Sequence, residues 1–215
     1  MIKAKHHSGI RFFFTQYINY ILRKNFSHLY FVNEIPEIPK NRALLLTPNH
    51  MSWWDGFIID YLNRKFLCKK FHVMMLEEQL KKYWFFKHLG AYSIEPKSKT
   101  SIDETFLYTG ELLHHQENIV VLFPQGELFP FMRRPVDIKK GITHLNQYTH
   151  TNFIILPLFL TISFYNEKLP EIYVRFGDLM DNKTLDFNNY KNMFTDEINA
   201  LSEAAAERNF IQDVL

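Results

Sequence analysis

Ala43-Leu44-Leu45-Leu46-Thr47-Pro48-Asn49-His50-Met51-Ser52-Trp53-Trp54-Asp55-Gly56-Phe57-Ile58-Ile59-Asp60-Tyr61-Leu62 changes its hydrophobic period in the middle. The apolar run at its start reads as a buried strand, and the residues after Gly56 are apolar at helical spacing. His50 therefore sits where a strand ends and Asp55 where a helix begins. Residues five apart cannot share a helix face, on which neighbours lie three or four apart. They meet only if the residues between them form a loop. The carboxylate then accepts a hydrogen bond from one ring nitrogen and leaves the other free to take a proton, the geometry of a general base awaiting a hydroxyl. The plainer alternatives are a helix N-cap for Asp55 and an ordinary core or surface group for His50, so the rest of the chain decides.

Upstream, residues 10–24 read as a helix dense in aromatics with basic residues near both ends. That composition suits either the headgroup boundary of a membrane or an amphipathic helix packed on its own domain. A strand at 28–32 and a proline-punctuated turn at 35–40 lead to the central stretch. Downstream, the helix from 55 runs to about 65, a strand spans 71–76, and Glu77 and Glu78 open a helix that Gly90 closes. A strand at 91–94 and a helix from about 100 to 116 follow. Residues 119–123 form a short β-branched strand bounded by Pro124. A helix near 139–149, strands at 153–164 and 171–176 and a helix from about 188 to 208 complete the pattern. This alternation predicts one α/β domain with a mixed, largely parallel sheet flanked by helices. The expected division is 1–40, an N-terminal membrane-associating amphipathic helix and lead-in strand, and 41–215, the α/β domain.

The chain has 215 residues, 47% of them hydrophobic, which is enough for one sizeable core. A net charge of +2 argues against a strongly electrostatic nucleic-acid binder, so no nucleic-acid partner is expected. The charge is nevertheless unevenly spread: Lys3, Lys5, Arg11, Arg23 and Lys24 are met by no acidic residue in the first 26 positions. The single cysteine, Cys68, excludes an internal disulfide and a cysteine-based zinc cluster and fits a reducing compartment. Ten histidines occur without a His-Glu-x-x-His pattern, so no metal is expected. No window approaches the length of a spanning helix, and Arg11, Thr15, Gln16 and Asn19 interrupt what would be a signal peptide's apolar core. The expected location is cytoplasmic, peripheral on the inner face of the membrane.

In α/β sheets the loops at the carboxyl edge of the strands build the site. Two such loops stand out, His50 to Asp55 and Phe123-Pro124-Gln125-Gly126-Glu127. Together with the later apolar strand Ile155-Leu156-Pro157-Leu158 they resemble, in order and spacing, the glycerolipid acyltransferase superfamily typified by lysophosphatidic acid acyltransferase. The resemblance covers roughly residues 40 to 165. Asn49, His50 and Asp55 match an Asn-His-x-x-x-x-Asp motif, and residues 123–129 match Phe-Pro-Glu-Gly-Thr-Arg-Ser. Gln125 departs from the motif's Glu, with Glu127 two residues on, and Leu128 and Phe129 replace its Arg and Ser. Arg133 and Arg134 lie just downstream, where they are candidates to replace the lost charge.

The resemblance implies transfer of a fatty acyl group from acyl-CoA or acyl-acyl-carrier protein to a hydroxyl of a lysophospholipid-like acceptor, within phospholipid biosynthesis and without a bound cofactor. It implies His50 as the base and Asp55 as its orienter, both catalytic. Asn49, Ser52, Trp53, Phe123, Pro124, Gln125, Gly126, Glu127, Arg133 and Arg134 are the residues expected to face substrate. Two alternatives use the same residues: an esterase or thioesterase that directs the base at water, and a non-catalytic lipid-binding module. The second has no need for both His50 and Asp55.

Overall fold

The computed structural model describes residues 1–215. Helix α1 (Ser8–Asn25) and strand β1 (His28–Phe31) precede the central unit, strand β2 (Leu44–Pro48) leading into helix α2 (Asp55–Leu62). Strand β3 (Lys70–Leu76), helix α3 (Glu77–Lys82), strand β4 (Ala91–Ile94), helix α4 (Lys99–Leu113) and strand β5 (Asn118–Val121) follow. The chain ends through helix α5 (Gly141–His144), strands β6 (Ile154–Ser163), β7 (Glu171–Phe176) and β8 (Met180–Asp181), helix α6 (Phe187–Glu207) and strand β9 (Gln212–Asp213).

All nine strands join one sheet in the order β4-β3-β5-β2-β6-β7-β1-β9, with β8 added to β6. Strands β4, β3, β5, β2 and β6 run parallel, as does β1 on β7, whereas β7 is antiparallel to β6. The sheet is therefore mixed and largely parallel, as the alternation of strands and helices predicted.

Side chains alternate across it with the period of two that a pleated strand imposes. Leu44 and Leu46 of β2 face one core and Leu45 the other; Ile119 and Val121 of β5 oppose Val120 in the same way. The first core is roofed by α1 and α2 through Ile18, Ile21, Leu22, Phe57, Ile58 and Ile59. The second is roofed by α4, α5 and α6 through Phe106, Ile142, Phe194 and Leu201. Burial on both faces is why β2 and β5 read as unbroken apolar runs.

An ionic clasp fixes α1 to α2. Asp60, buried on α2, pairs with Arg11 at 2.6 Å and with Arg64 at 2.9 Å, and Arg64 also donates to Asn19 of α1 at 3.0 Å. No helix is long and apolar enough to cross a membrane.

Three helices are shorter than their sequence patterns predicted. The helix after Leu76 breaks at Tyr83 into a 3-10 turn, Trp84–Leu89. Gly90 then ends it at φ 108°, where a Cβ would stand 2.0 Å from the Phe71 carbonyl oxygen. The segment near 139–149 forms only α5 and a 3-10 turn, Leu145–Gln147. Helix α2 stops at Leu62 and loosens into a π turn, Asn63–Leu67, closed by Cys68 in the left-handed region.

Candidate active site

Strands β5 and β2 are parallel neighbours in register, Val121 beside Leu46, so the loops that follow them emerge side by side at the carboxyl edge of the sheet. The first loop carries His50. Asp55 is the first residue of α2, yet its carboxylate does not cap that helix; Trp54 occupies the cap position and makes no side-chain cap bond. The carboxylate turns back over the loop instead. Oδ2 lies 2.9 Å from His50 Nδ1 and accepts the backbone N–H groups of Met51 at 2.8 Å and Ser52 at 3.0 Å. Oδ1 accepts the Ser52 hydroxyl at 2.6 Å, and Ser52 Oγ in turn accepts the Trp54 N–H at 3.2 Å.

Asp55 is 0% exposed. A fully buried carboxylate is tolerated because four donors surround it and the N-terminal end of α2 adds its dipole. An oxygen that accepts from Nδ1–H fixes the imidazole tautomer with its lone pair on Nε2. The His50 side chain keeps 24% of its surface exposed.

The second loop clamps the first. Phe123 stacks on the His50 ring at 4.1 Å, Gln125 Oε1 accepts the His50 N–H at 2.7 Å, and the Phe129 N–H donates to the His50 carbonyl at 3.0 Å. Gly126, at φ 74°, makes the turn that allows this. Lys139, which no local sequence signal marked, holds the loop from behind: its N–H donates to the Pro124 carbonyl at 2.8 Å, and its side chain passes beside Gly126. No three His, Cys, Asp or Glu side chains converge as a metal site.

The sequence matches the Acyltransferase family model over residues 30–161, which is more than half of the chain and spans both loops. The chain belongs to the acyltransferase family. No curated protein matches it in sequence. The acyltransferase has a fold similar to that of the 1-acyl-sn-glycerophosphate (LPA) acyltransferase, PlsC, from Thermotoga maritima, with a TM-score of 0.62 at 14% identity over 93% of this chain and 79% of that one.

Within this acyltransferase, the residues expected to face substrate divide into two groups. Phe123 stacks on His50, and Gly126, Glu127, Trp53 and Arg133 are exposed. Asn49, Ser52, Pro124 and Gln125 are committed inside the protein. Asn49 is buried and continues the sheet with its side chain, donating to the Leu160 carbonyl at 3.0 Å and accepting the Leu160 N–H at 2.7 Å. Pro124 and Gln125 are buried in the clamp, and the Ser52 hydroxyl is committed to Asp55.

The two arginines also separate. The Arg134 guanidinium is tied to the carbonyls of Phe131 and Arg133 and to Asn199 of α6. The Arg133 guanidinium lies 4.1 Å above the Phe129 ring and makes no ion pair.

The two tryptophans differ as well. Trp54 packs edge-on against Phe26 at 5.1 Å, whereas Trp53 is 57% exposed. Cys68 is exposed and lies outside both loops.

Proposed function

We propose that this acyltransferase moves a fatty acyl group from acyl-CoA or an acyl-acyl-carrier protein to a hydroxyl of a lysophospholipid-like acceptor. The observation that carries the reading is the His50–Asp55 pair, with Nδ1 held at 2.9 Å by a fully buried carboxylate and Nε2 left without a partner. His50 Nε2 takes the acceptor's hydroxyl proton as its oxygen attacks the thioester carbonyl. The tetrahedral intermediate then collapses, the C–S bond breaks, and the departing thiolate takes the proton from the imidazolium. Asp55 holds the tautomer and stabilises that imidazolium without itself becoming protonated. No covalent enzyme intermediate is needed, and the hydroxyl of Ser52 in the same loop is engaged by Asp55.

A lipid acceptor requires the enzyme to reach a membrane, and α1 supports attachment to the inner face. Its inner stripe, Ile18, Ile21 and Leu22, belongs to the core, while Phe12, Phe13, Tyr17 and Tyr20 stand outward in solvent. Amphipathic rings of this kind insert at the headgroup boundary, and Lys5, Arg23 and Lys24 add attraction to anionic lipid of about 1 kcal/mol for each that reaches the surface. Arg11 is not among them, because it is held inward by Asp60.

Mass spectrometry of lipids from cells with and without the gene tests the reading. A diacylated product that vanishes with the gene, its deacylated partner accumulating, supports acyl transfer. Accumulation of intact thioester or ester with unchanged acylation of lipids points to hydrolysis instead.

A further inference from the structure

The residues ahead of α1 cross the outer edge of the sheet, where β4 is the last strand, as a strap. Ile2 and Ser93 of β4 exchange two bonds, the Ile2 N–H donating to Ser93 Oγ at 2.7 Å and the Ser93 N–H to the Ile2 carbonyl at 2.9 Å. The Lys5 N–H donates to the Lys87 carbonyl at 2.8 Å and the His7 N–H to the His88 carbonyl at 3.0 Å, while His88 Nδ1 lies 3.0 Å from the Lys5 carbonyl oxygen. His7 then caps α1, its Nδ1 accepting the Ile10 N–H at 3.3 Å.

Between these bonds His6 turns inward. Its ring stands edge-on to His72 at 4.8 Å and occupies the space that Gly90 leaves open, where a Cβ would come within 2.9 Å of the His6 Cε1. His72 is 3% exposed, and neither of its ring nitrogens has a partner. The groups that face the pair are Lys70 of β3, Arg11 of α1, which Asp60 holds, Asn118 of β5, and His115 ahead of β5, itself 3.9 Å from Glu117. No carboxylate is among those that act directly on the two rings, so a proton on either would be desolvated beside cations.

We propose that residues 1–7 are a pH-sensitive strap, which leaves β3 and β4 when His6 and His72 take up protons and so strips α1 of its cap. Docked, His6 is lowered from 6.5 to about 4 by burial first, then by Lys70 and Arg11, and His72 is lowered to about 3. Released into water, each ring returns toward its ordinary value and binds a proton that the docked state refuses. The docked state thus has its full advantage above about pH 6.5 and loses it as the pH falls toward about 4 and then about 3. With both rings contributing, the ratio of released to docked strap rises about 100-fold between about pH 7.5 and about pH 5.5. The second turn of α1 stays seated, because Arg11 remains paired with Asp60.

Hydrogen exchange of the full chain, read by mass spectrometry and corrected for the intrinsic effect of pH, tests this. Between about pH 7.5 and about pH 5.5, protection of the strap amides, Lys5 and His7 among them, is expected to fall about 100-fold, while Ile119 to Val121 of β5 stay better protected throughout. In His72→Leu, which keeps His6 alone, the fall is expected to shrink to about tenfold. Strap protection that does not change with pH overturns the proposal, and so does an undiminished fall in His72→Leu, which would place the proton uptake elsewhere. Strap and β5 amides that exchange together at both pH values also overturn it, since the strap would then leave only with the whole fold. Should His72→Leu fail to fold, His6→Gln serves in its place with the same expectation.

Discussion

The Asp55 carboxylate lies 2.9 Å from His50 Nδ1 and, through the same oxygen, receives the N–H groups of Met51 and Ser52, so one buried side chain shapes the loop and orients the imidazole at once. The two functions separate under substitution. In Asp55→Asn an amide oxygen can still accept the loop N–H groups while the negative charge is lost. The fold is expected to survive, with a cooperative urea transition, and kcat to fall by about 10²- to 10⁴-fold, the usual worth of general-base assistance. Thiol release from an acyl-CoA donor measures it; a variant that unfolds instead shows that the carboxylate's main task is the loop.

Asn49 links the His50 loop to the neighbouring strand. Asn49→Ala removes both side-chain bonds to Leu160 and leaves a buried N–H and a buried carbonyl unmatched, each costing about 1–3 kcal/mol. Chemical denaturation should show a loss at the upper end of that range. A change near zero would mean that β6 relaxes onto other partners.

Arg133 and Arg134 are adjacent in sequence and opposite in circumstance. Arg133→Ala is expected to raise KM for a lysophosphatidate acceptor by about tenfold, one charge-assisted contact of about 1.4 kcal/mol, and to leave a monoacylglycerol unaffected. Arg134→Ala should lower the denaturation midpoint and affect both acceptors alike. Equal responses to both acceptors from Arg133→Ala would exclude it as a reader of anionic headgroups.

The parts legible from sequence were those set by local pattern. Strands β2 and β5, buried on both faces, could only be apolar runs, and the change of period between Leu46 and Phe57 located the loop that joins His50 to Asp55. What escaped depended on distant partners. Nothing near Asn49 announces that Leu160 completes it, and nothing near Lys139 shows that it backs the Pro124 turn. Strands β8 and β9 have two residues each and exist only because β6 and β1 offer edges to pair with. Helix α1 invited two readings, core helix or membrane helix, because one sequence encodes two stripes: Ile18, Ile21 and Leu22 inward, Phe13, Tyr17 and Tyr20 outward. The pair Arg133-Arg134 looked uniform for the opposite reason, since only the fold shows that α6 supplies Asn199 to one of them.

Stability should fall in mild acid because of His72. This residue is buried on β3 with neither ring nitrogen hydrogen-bonded, and the His6 ring lies edge-on to it at 4.8 Å. Burial, with smaller contributions from the neighbouring His6 and Lys70, pushes its pKa down from 6.5 to about 3. The unfolded chain therefore binds the extra proton first, so this contribution is complete above about pH 6.5 and is lost progressively as the pH falls toward about 3. Between those limits one such group gives a slope of at most about 1.4 kcal/mol per pH unit. Urea denaturation of the native protein and of His72→Leu, at about pH 7.5 and about pH 5, should show a smaller acid loss in the variant; identical losses would place the acid sensitivity elsewhere.

The central claim is that His50 is the base that draws the proton from the acceptor hydroxyl. Its most direct test is the rate of acyl transfer by purified, folded His50→Ala, followed together as thiol released and acylated lipid formed, with donor and acceptor at saturation. The predicted result is a fall in kcat of about 10²- to 10⁴-fold with an unchanged denaturation profile. Transfer at the native rate by the folded variant would contradict it.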